Sequence, residues 1–303
     1  MTAFSKCGAS IFRRTLGREP VYVRAAPGRT LRTVMVAGLA FIATAIATLF
    51  ANATAVRWSR THAPHQGAWT VALALFALAS AALATGASTG WDEGTFRAFF
   101  LLGAVINVPW LALGTVYLLL GVKVGNRARA GLLVFTGLGI GVMLATPIHG
   151  VIAPDTIPVG KDHLDALPRA LAGIGSGVGA VVVFAGAAWS AVRFARSRRP
   201  GAGYLAGGNA LIALGTLVLS SGGLLQGIVG SDEAFALTLA IGIAVIYGGF
   251  TVASRVPRAA VVDYDAGASD APATESGASA RRNNLPAKDR GTSSTSSTRV
   301  GSL

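Results

Sequence analysis

Four polar side chains interrupt otherwise apolar stretches: Asn107 and Trp110 in LLGAVINVPWLALGTVYLLLG, Asn209 in YLAGGNALIALG and Tyr247 in IGIAVIYGGF. An amide, an indole and a phenol offer hydrogen-bond donors and acceptors without formal charge. Gathered inside an apolar bundle, they would bind a small neutral solute. Pro109 strengthens that expectation, because a proline within a helix frees a backbone carbonyl one turn back. Interrupted helices near the middle of a membrane often mark transport sites. The competing use of the same residues is hydrogen bonding between helices around a packing kink.

Other chemistries lack their residues. The long apolar stretches contain no Asp, Glu, Lys or Arg, whereas proton pumps and ion-coupled carriers place ionisable groups there. A retinal Schiff base needs a lysine in the last helix, and Ala234 to Ser254 has none. HExxH, paired intramembrane aspartates and a Ser/His pair are all missing, so no enzyme is expected. Cys7 is the single cysteine, which removes internal disulfides and cysteine metal sites. His149, Asp162, His163 and Asp165 would have to converge to hold a metal. They read as a solvated loop, as do His62 and His65, and no metal or cofactor is expected.

The elements that must position these side chains are membrane helices. The chain of 303 residues is 52% hydrophobic and 13% charged, against about a quarter charged in soluble domains. Seven stretches approach the ~20 residues needed to cross hydrocarbon: Val34 to Val56, Ala68 to Gly86, Ala98 to Gly121, Ala130 to Gly150, Ala170 to Val192, Tyr204 to Gly230 and Ala234 to Ser254. The expected fold is an all-α integral membrane domain over 34–254. Gly173/Gly177, Gly175/Gly179 and the glycines 137, 139 and 141 are expected at helix contacts. Trp91, Phe96, Phe99 and Phe100 are expected as anchors at one interface, with Trp58 and Trp69 at the other. Residues 255–303, ending RGTSSTSSTRVGSL, cannot bury a core and read as a disordered tail, with Arg281 and Arg282 within reach of lipid. The net charge of +13 belongs to basic turns on an anionic bilayer rather than to nucleic-acid binding.

Charge sets the orientation. The odd-numbered turns carry Arg57 and Arg60; Lys123, Arg127 and Arg129; Arg193, Arg196, Arg198 and Arg199, with no acid. The even-numbered turns carry Asp92, Glu93, Asp155, Asp162, Asp165, Asp232 and Glu233. Lys/Arg excess marks the cytoplasmic side, so the reading is N-terminus outside and C-terminus in the cytoplasm, in the plasma membrane. The basic segment 1–33 opposes this. Translation starting near Met35 would remove the conflict.

AVRWSRTHAPHQG at Ala55 recurs as AVRFARSRRPGAG at Ala191, and the 33 residues from each share 12 identities at an offset of 136. Arg, Pro and Gly at fixed spacing are not forced by hydrophobicity. Asp92-Glu93 recurs as Asp232-Glu233 at 140, while Phe96 and Gly103 recur as Phe235 and Gly242 at 139. Two parallel units, 34–121 and 170–254, with 130–150 as a linker helix, would place both copies of the turn on one side. Shifting Asn107 by 139 or 140 lands on Ile246 or Tyr247.

The run LLGAVINVPWLALGTVYLL, preceded by GWDEGTFR, resembles a group of actinobacterial seven-helix membrane proteins, a likeness that implies a fold and carries no activity. The three-one-three arrangement is more distantly similar to SWEET and PQ-loop facilitators and to opsins. The chain lacks the Pro-Gln pair of the former and the lysine of the latter. Two functions follow as expectations: an uncoupled facilitator for a small neutral solute, or a non-transporting sensor or assembly protein that binds a protein partner through its tail.

Overall fold

The computed structural model describes residues 27–229 and 231–255. Residues 1–26, with Cys7 and most of the basic segment, and 256–303, with the tail and Arg281-Arg282, lie outside the described residues. The described chain is all-helical: α1 Pro27–Thr61, α2 Pro64–Thr89, α3 Glu93–Phe99, a π-helical segment Phe100–Ile106, α4 Asn107–Ala145, α5 Gly160–His163, α6 Ala166–Ala195, α7 Ala202–Val229 and α8 Asp232–Ala253. Among the described residues six helices are long and apolar enough to cross a membrane, which suits a membrane-embedded multi-pass protein. Their outward faces carry bare apolar side chains such as Val34, Phe41, Val134, Val181 and Trp189, an exposure soluble monomers avoid.

The longest helical run, Glu93–Ala145, has 53 residues and would measure about 80 Å if straight. It folds back instead. Gly121 breaks it with φ 81 and ψ 176, a left-handed φ that glycine adopts without cost. The two limbs then meet: Trp110 Nε1 donates to Thr136 Oγ1 at 3.2 Å and Tyr117 Oη to Asn126 Oδ1 at 2.8 Å. Gly125 lies under the Tyr117 ring, where a Cβ would collide. At the far end the Arg97 guanidinium, paired with Glu93 at 2.6 Å, donates to the carbonyl of Met143. That carbonyl is an orphan of the last turn, and a cation there also suits the helix dipole.

The second limb therefore begins directly after Gly121 rather than at Ala130, and ends at Ala145 rather than Gly150. Thr146, which precedes Pro147, is extended at ψ 128, as a residue before proline prefers. The first helix likewise starts at Pro27, seven residues before Val34, because proline is well placed at a helix N-terminus.

Packed neighbours close a ring: α1 against α2, α2 against the 93–121 limb, that limb against α6, then α7, α8 and back to α1. The 122–145 limb lies outside the ring, on the first limb. One end of the ring is plugged. Trp91 and Phe96 are buried there with Leu83, Met143, Ile157 and Leu164, and Trp91 packs 2.6 Å from where Gly86 would carry a Cβ. These two aromatics are core residues rather than interfacial anchors, because the segment 146–165 folds over them. Asp232 ties that segment down, accepting from Ile157 N at 3.0 Å and from Gln226 Nε2 at 2.8 Å. Asp92 caps α3: Thr95 N–H at 2.9 Å, then Thr95 Oγ1 at 3.0 Å, hold its pKa below the ordinary carboxylate value.

Glycine packing differs from expectation. Gly175 and Gly179 lie against Val105 and Val108, and Gly139 against Val105, whereas Gly137, Gly141, Gly173 and Gly177 have nothing within 4 Å. An open helical glycine gives up backbone entropy for no contact. Gly173→Ala is therefore expected to raise thermal stability, by about 0.5–1 kcal/mol, measured as a higher melting temperature in detergent.

Candidate functional site

The ring encloses a cavity of about 80 Å³ to which all six of its helices contribute. Its wall is apolar on most sides, through Phe50, Leu73, Leu111, Val183, Ile212 and Ile246. The polar groups are Trp69, Thr115, Ser190 and Asn209. The cavity lies in the half of the bundle nearer the basic turns: Trp69 is five residues into α2, Asn209 seven into α7, and Ser190 five before the end of α6. The volume is far below the ~300 Å³ of sites for larger organic ligands. It suits water or a solute of a few heavy atoms, for which ~30 Å³ is one water's share of liquid.

Two close approaches shape it. Trp69 rests on Gly114 and Thr115 on Gly186, each where a Cβ would collide, so two glycines admit an indole and a hydroxyl-bearing side chain to the axis. Phe50 and Phe250 pack with ring centroids 4.9 Å apart, and the Arg57 guanidinium sits 4.4 Å from the centroid of Phe250. A cation on an aromatic face thus closes the wall on the side of the basic turn.

Of the four residues picked from sequence, Asn209 lines this cavity. Its Nδ2 donates to Leu205 O within its own helix at 2.8 Å, which leaves the carbonyl oxygen and one N–H for a guest. Asn107 is buried at 7% exposure, one turn beyond Leu111 on the same helix face, above the cavity. Trp110 faces the outer limb through Thr136 and packs against the buried cluster of Ala68, Leu113 and Tyr117. Tyr247 packs against Phe50 with tilted rings, centroids 5.2 Å apart, beside Ile246, which lines the cavity. The cavity therefore unites Asn209 with Thr115, Ser190 and Trp69 rather than with Trp110 and Tyr247.

The interruption around Pro109 has a structural occupant. Asn107 N–H bonds back to Leu102 O in π-helical fashion, and Pro109 withholds the N–H that Val105 O would accept. Ser176 on α6 donates to Ala104 O at 2.5 Å, while Gly175 lets Val105 O come within 2.6 Å of its missing Cβ. The freed backbone is thus met by α6.

His149 and His163 do converge on the plugged end: His149 Nε2 lies 3.0 Å from Asp165 Oδ1, and His163 Nδ1 lies 2.9 Å from His149 O. No group of three or more His, Cys, Asp or Glu able to hold a metal occurs among the described residues. Thr115 and Ser190 were the residues that sequence reading missed. Ser190 carries a signal in retrospect, since it lies 136 residues after Thr54 and both are buried hydroxyls. No protein-family model matches the chain, and no curated protein matches it.

Proposed function

We propose that the chain crosses the plasma membrane seven times, N-terminus outside and C-terminus in the cytoplasm, and passes a small neutral solute through its axial cavity without ion coupling. The cavity carries the reading: it lies where all six ring helices meet, it holds uncharged polar groups, and no ionisable side chain lines it. The two limbs of 93–145 count as two crossings because Gly121 reverses the chain. The described acids Asp92, Glu93, Asp155, Asp162, Asp165, Asp232 and Glu233 then all fall at the plugged end, and the basic turns at the other, as positive-inside orientation requires.

A parallel three-one-three repeat is part of the proposal. The ring order supports it: a two-fold axis would exchange α1–α2 with α6–α7, and the contact of the 93–121 limb with α6 for that of α8 with α1. Buried hydroxyls support it too, since Thr54 and Ser190, and Ser80 and Thr216, are pairs 136 apart. Around the outer turn the better register is 139, because Asp92 and Ser231 are both N-caps, accepting from Thr95 N and Ala234 N.

Proteoliposomes holding the full chain, assayed by stopped-flow light scattering with urea and with glycerol, test transport. Wild-type vesicles are expected to equilibrate at least tenfold faster than protein-free ones for one of these solutes. Asn209→Leu and Ser190→Phe, which remove a polar group and fill the space, should return the rate to the protein-free level with the melting temperature kept. Wild-type vesicles no faster than empty ones for both solutes would overturn the reading.

A further inference from the structure

A second hollow, about 230 Å³, opens sideways between the two limbs of 93–145 and α6. Pro109, Leu113, Val116, Leu132, Phe135 and Val178 represent its wall, in which every residue is apolar or glycine. Its α6 rim is bare, with Ile174 and Val178 more than half exposed. At the end nearest the Gly121 turn the wall includes Ala128, and the chain there reads Lys123, Arg127, Ala128, Arg129. All three cations are exposed, no ion pair holds them among the described residues, and every described acid lies at the opposite end of the bundle. By helix rise the hollow runs from roughly 10 to 20 Å beyond that turn, the depth of the acyl chains of the leaflet whose headgroups meet the turn.

We propose that this groove is a binding site for one anionic phospholipid, an acyl chain lying between the limbs and α6 and the headgroup phosphate at the mouth, between Arg127 and Arg129, which flank the lining residue Ala128 on either side. A trough without hydrogen-bonding side chains accepts hydrocarbon, and two arginines at its mouth, with no acid partner among the described residues, select a net negative headgroup over a zwitterionic one. Long basic side chains reach the interface while their stems stay apolar. Each cation near an anionic headgroup is worth roughly fivefold in affinity, so Arg127 and Arg129 together favour an anionic lipid on the order of 25-fold. A second copy of the chain is a poor occupant. A two-fold contact through this face would set each cation cluster against its own image. The site stands whether or not the chain transports.

The test uses the full chain in a neutral maltoside detergent, with phosphatidylglycerol and phosphatidylcholine of identical acyl chains, and glycerol 3-phosphate as the headgroup alone. Phosphatidylglycerol is expected to raise the melting temperature by about 3–8 °C, with native mass spectrometry retaining one copy under conditions that strip phosphatidylcholine. Lys123→Gln with Arg127→Gln and Arg129→Gln, all at exposed positions, should erase the difference between the lipids. Arg196→Gln with Arg198→Gln, on another basic turn, should preserve it. Val178→Trp, which fills the groove from its lipid side, should weaken both lipids. The proposal is overturned if the two lipids act equally on wild type, if the preference survives the triple substitution or vanishes in the Arg196/Arg198 control, or if glycerol 3-phosphate alone reproduces the shift.

Discussion

Gly215→Leu is expected to prevent the bundle from assembling, with loss of the monodisperse detergent-purified protein and of at least ~3 kcal/mol of stability in any fraction that folds. A Cβ at Gly215 would lie 2.6 Å from Ile246 Cγ1, 2.9 Å from Gly242 O and 3.0 Å from Ile246 N. Two of those three atoms are backbone, so rotamer changes cannot make room and the helices must part. The same close approach recurs along the pair. A Cβ on Gly208 would lie 2.6 Å from Gly249 O and one on Gly249 2.6 Å from Gly208 O, while Cβ atoms on Gly222 and Gly242 would collide with Thr238 and Leu219. Gly208, Gly215 and Gly222 recur every seven residues on α7, as Gly242 and Gly249 do on α8. Between lipid-embedded helices, such approach is what holds a pair together, since hydrocarbon supplies no hydrophobic drive. Gly173→Leu is the matched control: it adds the same side chain where nothing lies within 4 Å, and it should leave yield and melting temperature close to wild type.

That contrast shows what the sequence could and could not disclose. GIGSGVG at 173–179 looks like a packing motif because its glycines are crowded, yet two of the four face away from any neighbour. The glycines of α7 and α8 are sparse and equally spaced, and only knowledge of which helices pair turns the spacing into a contact. The apolar stretches were legible because hydrocarbon imposes both length and composition. The turn after Gly121 was legible from its charges, but the helix resuming immediately was not, since GVKVGNRARA looks like a loop by charge alone. Trp110 was placed in a pocket because nothing in the string pairs it with Thr136; that partner exists only once the chain has reversed. Thr115 and Ser190 escaped notice because a hydroxyl in a helix can satisfy itself on its own backbone and so leaves no trace of strain. Asn209 reached the cavity wall for a reason the string contains: it lies 136 residues after Leu73, and both line the space.

Labelling by a membrane-impermeant maleimide in intact cells should be all-or-none along the chain. With Cys7→Ser as background, single cysteines at the exposed positions Thr89 and Thr156 are expected to react from outside. Those at Thr61, Arg127 and Arg196, also exposed, should react only after the membrane is permeabilised, with at least tenfold contrast. The force that sets this pattern is the cost of translocating arginine and lysine against the positive-inside bias, and the turns holding Arg57 and Arg60, Lys123 to Arg129 and Arg193 to Arg199 share it without one compensating acid. Thr156 is the discriminating position. Were Glu93–Ala145 a single crossing, Thr156 would fall on the side of Thr61, and Arg196 on the side of Thr89. Reaction at Arg196 in intact cells together with protection at Thr156 would mean that Gly121 kinks one long span instead of reversing it. The ring of six helices, its axial cavity and the cation-rimmed groove could not then coexist in one bilayer, because the limbs that build them would lie end to end. Protection at Arg127 and Arg196 with reaction at Thr156 places both limbs side by side and gives the two hollows opposite surroundings, one on the protein axis and one open to lipid.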